Sequence, residues 1–282
     1  MNYFKLCLSA LIMAAMISSC DIIEPPYTTG GNNNDTGSVE VKQKVYVEYF
    51  TGHRCPNCPA EAFQLKQLQQ QFGDRLIFIS VHSGFFAEPL ASGNYTSDYR
   101  TTTGNQLDQA FSVTSISTPN ALVNRTSFDG NVVLPPASWA GAIAEQLLKL
   151  PAAAIYLEPT FQGNNIQLNA GIKPLAQIDG TFMISAYIVE DSIISYQKNN
   201  NASIGVTPDI PDYAHRYVLR GSLNGTFGDT LFSPTANLTD SFTVQLTAAK
   251  DPIWNNAKLY VVCFVYNKET DEVLQVEMKK IQ

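Results

Sequence analysis

The chain has 282 residues, with 18 basic and 25 acidic side chains and a formal net charge of −7. The acidic balance and the lack of a basic patch exclude nucleic acid and anionic lipid as main partners. Hydrophobic residues make up 45% of the chain, enough for buried cores, and no G-x-S-x-G, H-E-x-x-H or phosphate-binding glycine loop occurs to support a hydrolase or nucleotide role.

Residues 1–19 read as a secretion signal. Lys5 supplies the positive start, and Leu6 to Ile17 form an apolar stretch of about twelve residues, too short to span a bilayer. Ile17-Ser18-Ser19-Cys20 has the form of a lipobox, so Cys20 is the expected lipidated first residue of the mature chain and its link to the membrane. Residues 20–43 are polar and centred on Gly30-Gly31-Asn32-Asn33-Asn34, the composition of a flexible tether. Of the five cysteines, Cys7 leaves with the signal and Cys20 carries lipid. Cys55, Cys58 and Cys263 remain, and a close pair in an oxidising compartment is expected to form a disulfide.

Val45 to Phe50 predicts a strand and Ala60 to Phe72 a helix, with Leu65, Leu68 and Phe72 on one face and Gly73 as its stop. Leu76 to Val81 is apolar on both faces, as a buried parallel strand should be. Residues 83–118 read as an insertion with a short helix near Leu107 to Phe111. Beyond Thr118-Pro119, a hairpin is expected from Ala121-Leu122-Val123 and Val132-Val133-Leu134 around Asp129-Gly130. A second helix is expected from Ser138 to Leu150, striped by Trp139, Ile143, Leu147 and Leu150, with Glu145 paired to Lys149. After Pro151, about seven strand-like alternations without helices predict a β-sandwich. They are 155–161, 166–172, 180–189, 217–223, 242–246, 259–266 and 273–278. The expected division is therefore 44–150 and 151–282.

The stretch that carries chemistry is Cys55-Pro56-Asn57-Cys58. A strand that runs into C-x-x-C and then a helix resembles the redox site of thioredoxin. On that resemblance Cys55 is the nucleophile and Cys58 the resolving thiol. His53 and Arg54 would add positive charge that favours the thiolate. Glu48 would be a buried carboxylate relaying a proton to Cys58, or would face solvent at the strand end. Pro119 would be a cis-proline facing the disulfide, or an ordinary trans proline. A structural disulfide and metal ligation remain alternatives. His82 with His53 and the two cysteines offers a metal donor set, though not at zinc-finger spacing. No cofactor is expected. His215 reads as structural, and Cys263, on an alternating strand, as buried and inert.

Two longer stretches, Glu48-Tyr49-Phe50-Thr51-Gly52-His53-Arg54-Cys55-Pro56-Asn57-Cys58-Pro59 and Tyr213-Ala214-His215-Arg216-Tyr217-Val218-Leu219-Arg220-Gly221, resemble the 28-kDa outer-membrane-protein lipoproteins of Bacteroidetes. The lipobox, Val123-Asn124-Arg125 after Pro119 and the domain order agree with that family. The resemblance implies an α/β thioredoxin-like domain followed by a C-terminal Ig-like β-sandwich, held at the outer membrane by lipid on Cys20. Two functions follow as expectations: a thiol–disulfide oxidoreductase acting on exported proteins, or a non-catalytic binding or adhesion lipoprotein with a structural disulfide.

Overall fold

The computed structural model describes residues 40–282; the expected signal, the lipidation site Cys20 and the tether up to residue 39 lie outside the described residues. β1 (Val45–Thr51) and β2 (Leu76–His82) are parallel neighbours, paired from Val45 opposite Leu76 to Thr51 opposite His82. Every residue of both strands is buried, which accounts for their mostly apolar sequence on both faces. Between them α1 (Cys58–Phe72) turns Leu65 and Leu68 inward and ends at Gly73, whose φ of 62° suits a residue without a side chain. The insertion holds α2 (Thr102–Phe111), capped by the Thr101 hydroxyl accepting from Gly104 N at 2.9 Å, and the single turn α3 (Val113–Ile116). β3 (Asn120–Val123) then runs antiparallel to β1.

Three expectations need correction here. The hairpin after β3 shrinks to single bridges, Ala121 with Leu134 and Phe128 with Asn131. Pro135 follows Leu134, has no N–H to extend a ladder, and leads straight into α4 (Pro136–Leu147). That helix stops before Leu150, which is 89% exposed, because Pro151 disfavours a helical residue ahead of it. Lys149 lies past the helix end and pairs with Glu272 at 2.6 Å instead of Glu145.

The remainder is β-rich. In chain order come β4 (Ala153–Gln162), β5 (Asn165–Pro174), β6 (Ile178–Asp179), β7 (Phe182–Glu190), β8 (Ile193–Lys198) and β9 (Asp209–His215). They are followed by β10 (Val218–Ser222), β11 (Asp229–Phe232), β12 (Thr235–Ala236), β13 (Phe242–Ala249), β14 (Leu259–Asn267) and β15 (Val273–Lys280). One mixed eight-stranded sheet runs β15-β14-β7-β10-β2-β1-β3, with β11 also on β7. It takes strands from both sides of residue 151, joined where Val218 of β10 pairs in parallel with Ser80 of β2. A separate sheet, β13-β5-β4, stacks on its β7–β14 end.

Three cores result. Ile155, Leu157, Ile166 and Leu168 of the small sheet pack against Ile184, Val261 and Cys263 of the large one. The helix-covered face buries Val47, Tyr49, Leu65, Trp139 and both cysteines of the C-x-x-C turn. The opposite face buries Tyr46, Phe50, Ile79, Leu107, Tyr187 and Phe264. Alternation along β1 therefore sends odd-numbered residues toward the cysteines and even-numbered ones away. Cys263 is a free, buried thiol whose pKa burial pushes up to about 12.

Candidate functional site

β1 delivers the chain to a tight turn before α1. Cys55 N donates to Gly52 O at 3.0 Å, and Arg54 N donates to Phe86 O at 3.0 Å. This contact explains Gly52: a Cβ there would stand 2.3 Å from the Phe86 carbonyl carbon. Cys55 and Cys58 form a disulfide with a Cα–Cα distance of 5.4 Å. Helix α1 begins only at Cys58, with Asn57 as its N-cap and Pro59 in its first turn. Cys55 thus lies upstream of the helix, where the dipole has little hold on it.

The disulfide is enclosed. Cys55 is 1% exposed and Cys58 2%. From below, the Tyr49 hydroxyl donates to Cys58 O at 2.9 Å, and its ring meets Trp139 edge-on. From above, the β8–β9 hairpin and its loop lie across the turn. Gln197 Nε2 donates to Cys55 O at 2.9 Å and to Gly52 O at 3.3 Å. Lys198 N donates to His53 O at 2.9 Å, and Asn200 N to Pro56 O at 3.1 Å. Residues 197–200 therefore pair with the C-x-x-C turn much as a short extended strand would. Sequence reasoning missed this hairpin, because Pro211 breaks the strand reading of β9. The alternation of Ile193, Ser195 and Gln197 was the available signal.

Pro119 is buried at the start of β3, and the Thr118–Pro119 bond is cis. The register that pairs Phe50 with Asn120 puts Pro119 beside Thr51, at the sheet end where the C-x-x-C turn begins. Glu48 is not brought to the disulfide, and it does not face solvent. It points to the opposite face, fully buried, where Arg125 Nε and Nη2 hold its carboxylate at 2.8 and 2.7 Å. Phe111, Phe264 and Tyr266 surround the Arg125 guanidinium. A buried pair of this quality is held by its mutual neutralisation, and the even numbering of Glu48 in β1 decides its side.

The expected positive charge beside Cys55 is only half present. Arg54 reaches over Phe85 and donates to Glu88 O at 3.0 Å. His53 is 2% exposed, and burial, then the Arg54 charge, lower its pKa to about 4, so it is neutral at pH 7. All three histidines of the chain meet here. His53 stacks on Tyr95 at 5.5 Å, while Tyr99 contacts His53, His82 and His215 at 5.8, 5.2 and 5.4 Å between ring centres. Burial also drives His82 well below its ordinary pKa and His215 to about 3. His215 shares a 3.0 Å hydrogen bond with Ser195. Among the described residues no group of three or more His, Cys, Asp or Glu is placed to hold a metal ion.

Beside the disulfide opens a pocket of about 240 Å³. Its floor is Tyr49, Phe78, Ser80 and His82 from β1 and β2; one wall is Cys58, Ala62 and Phe63 of α1, the other Gln197, Tyr213 and His215 of the hairpin. Lys66 and Arg216 also line it, with no carboxylate.

The sequence model described as Outer membrane protein Omp28 matches residues 104–282. No curated protein matches the chain. Among solved structures, HBP35 of Porphyromonas gingivalis is similar over 86% of this chain and 76% of its own, with a TM-score of 0.62 at 19% identity. This likeness shows a shared fold. A domain of the outer membrane lipoprotein Omp28 from the same organism matches 48% of this chain and 91% of its own, at 21% identity and a TM-score of 0.33. Among the described residues no helix is long and apolar enough to cross a membrane.

Proposed function

Because the chain belongs to the Omp28 outer membrane protein family, we propose that it is a lipoprotein of that membrane, tethered through Cys20, whose folded body is a binding module stapled by an inert disulfide. In this reading residues 44–150 form a thioredoxin-like scaffold and 151–282 an Ig-like sandwich. The strand–helix–strand opening and the stacked small sheet support it. The observation that carries the function is the burial of both cysteines under Gln197 and Asn200. Thiol–disulfide exchange needs a thiolate in line with a sulfur, and the burial of both cysteines, at 1% and 2% exposure, opposes that approach. What remains for the cross-link is to hold the turn against α1. The chain-entropy model gives a ring closed over this separation of 3 about 2 kcal/mol.

The test is reduction of the folded protein by dithiothreitol, with alkylation and mass spectrometry at Cys55 and Cys58. The expected result is a rate that follows global unfolding as urea is added. A second reading, an oxidoreductase on exported proteins with Cys55 attacking and Cys58 resolving, is favoured by the placement of the pair between β1 and α1. It requires residues 197–200 to leave the turn. Reduction much faster than unfolding, together with mixed disulfides trapped by Cys58→Ser, would establish it and overturn the first.

A further inference from the structure

We propose that the folded body makes a second, direct contact with its membrane: Leu148 and Leu150 insert into the headgroup–acyl boundary of the bilayer that holds the Cys20 lipid. The inference rests on the anchoring part of the proposed function and adds how the body meets that surface. Leu150 is 89% exposed and Leu148 85%, the two most exposed large apolar side chains among the described residues. They flank Lys149 just past the end of α4, where Pro151 stops the helix. Trp139, Ile143 and Leu147 of α4 enter the helix-covered core, and these two leucines do not.

Exposed leucines are ordinary on a protein surface; the place of these two is what gives them a partner. The described chain begins at Glu40 and runs along the same end of the body. Arg75 ties the two segments together: its Nε donates to Gln43 O at 3.0 Å and its Nη2 to Leu147 O at 2.6 Å. Gln275 on β15 does the same further out, donating through Nε2 to Lys42 O at 3.1 Å and to Ala153 O at 3.3 Å. The stretch from Leu147 to Ala153, with both leucines inside it, therefore lies beside the chain that comes from Cys20. Residues 21–39 separate Cys20 from Glu40, and a span of that length reaches at most about 70 Å. It keeps the body at an effective concentration of order millimolar at the surface, so a contact too weak to recruit a free protein holds a tethered one. Each leucine drawn out of water strengthens such a contact about 10-fold or more. The charges nearby carry both signs: Lys149 pairs with Glu272 at 2.6 Å, and Lys42 and Glu145 are exposed. The attraction is therefore apolar and needs no anionic lipid.

The experiment uses the full-length acylated protein in phosphatidylcholine vesicles. Cys55 and Cys58 are joined and Cys263 is buried, so a cysteine introduced at the surface is the site an environment-sensitive dye labels. Ile253 is the control: it is 79% exposed, but its loop lies by Glu190, opposite Leu259, at the other end of β14 from the residues that face Gln275. Spin-labelled lipid should quench the dye at Leu148→Cys and Leu150→Cys and leave it bright at Ile253→Cys. High salt should not relieve the quenching. With the dye at Ala144→Cys, exposed one turn before Leu148 on α4, the pair Leu148→Ser/Leu150→Ser should weaken the contact about 10-fold or more at an unchanged melting temperature. Quenching at 148 and 150 no greater than at 253, quenching untouched by the serine pair, or quenching lost in high salt would overturn the proposal. So would shielding of the dyes that follows protein density instead of quencher lipid, the mark of a contact between copies of the chain. Mass spectrometry of the N-terminal peptide separates the two readings: a Cys20 without acyl groups overturns the anchoring reading and this one with it, whereas an acylated chain with unquenched dyes overturns this one alone.

Discussion

Lowering the pH from 8 to 5 should strip the folded body of several kcal/mol, and the histidine cluster supplies the arithmetic. An unfolded histidine titrates near 6.5, whereas His53 and His215 in the fold titrate at about 4 and about 3. Between these values the unfolded chain takes up protons that the folded chain refuses. Stability is therefore complete above about pH 6.5 and falls as the pH drops toward the folded values. At pH 5 each of the two contributes a loss of roughly 1.5 pH units at 1.36 kcal/mol per unit, or about 4 kcal/mol together. His82, shifted in the same direction, adds to this. Arg54 and Arg100 face His53, and Arg220 and the other histidines face His82, so a first protonation opposes the next. Asp98 near His53 acts in the other direction, as does Glu61, whose carboxyl burial raises. Ordinary carboxylates titrate mostly below pH 5, so the window isolates imidazole. Urea denaturation at pH 8, 6.5 and 5 at constant ionic strength measures the loss, and NMR of the three imidazole C2 protons reports where it originates. A flat stability profile, or imidazole signals titrating between pH 6 and 7 in the folded protein, would refute the reasoning.

Three substitutions probe the rest of the architecture. Gln197→Ala removes the donor to Cys55 O and Gly52 O; it should cost about 1–2 kcal/mol and speed phosphine reduction of the disulfide, read by thiol alkylation. Arg125→Leu leaves the Glu48 carboxylate buried without its partner and should cost about 3–5 kcal/mol in urea. The double variant Glu48→Leu/Arg125→Leu should recover much of that, and absence of recovery would show that the aromatic surround, not the charge pair, holds the site. Gly52→Ala should distort the turn, because its Cβ would overlap the Phe86 backbone; a melting temperature unchanged from the parent protein would contradict that contact.

Local signals made a good part of the fold legible. The largely apolar runs at 45–50 and 76–81 gave two buried parallel strands, and the period of Leu65 and Leu68 gave α1. The family match over 104–282 agrees with the resemblance carried by the segment around His215; the C-x-x-C stretch lies outside the matched residues. The end of α4 and the shrunken hairpin were misread because Pro135 and Pro151 act on their neighbours through single backbone groups that hydrophobic periodicity does not register. Equally hidden was the joint between β10 and β2, which rests on one parallel pairing across more than a hundred residues.

The chemistry of the site was less legible than its residues, for a physical reason. A C-x-x-C turn is written in four adjacent positions, but its reactivity depends on what reaches it from elsewhere. Gln197 bonds Cys55 O from 142 residues away, and Arg125 claims Glu48 from 77 away. In each case the partner could be found only once the hairpin and the β1–β3 register were in place. His53 shows the same inversion: beside Cys55 in sequence it reads as a cation, yet Tyr95 and Tyr99 bury it into neutrality. The motif therefore fixed where a disulfide forms, while the cover over it, built from the β-rich half, determines whether any other thiol can touch it. The two readings of this chain therefore differ by whether residues 197–200 stay on the turn rather than by the cysteines themselves.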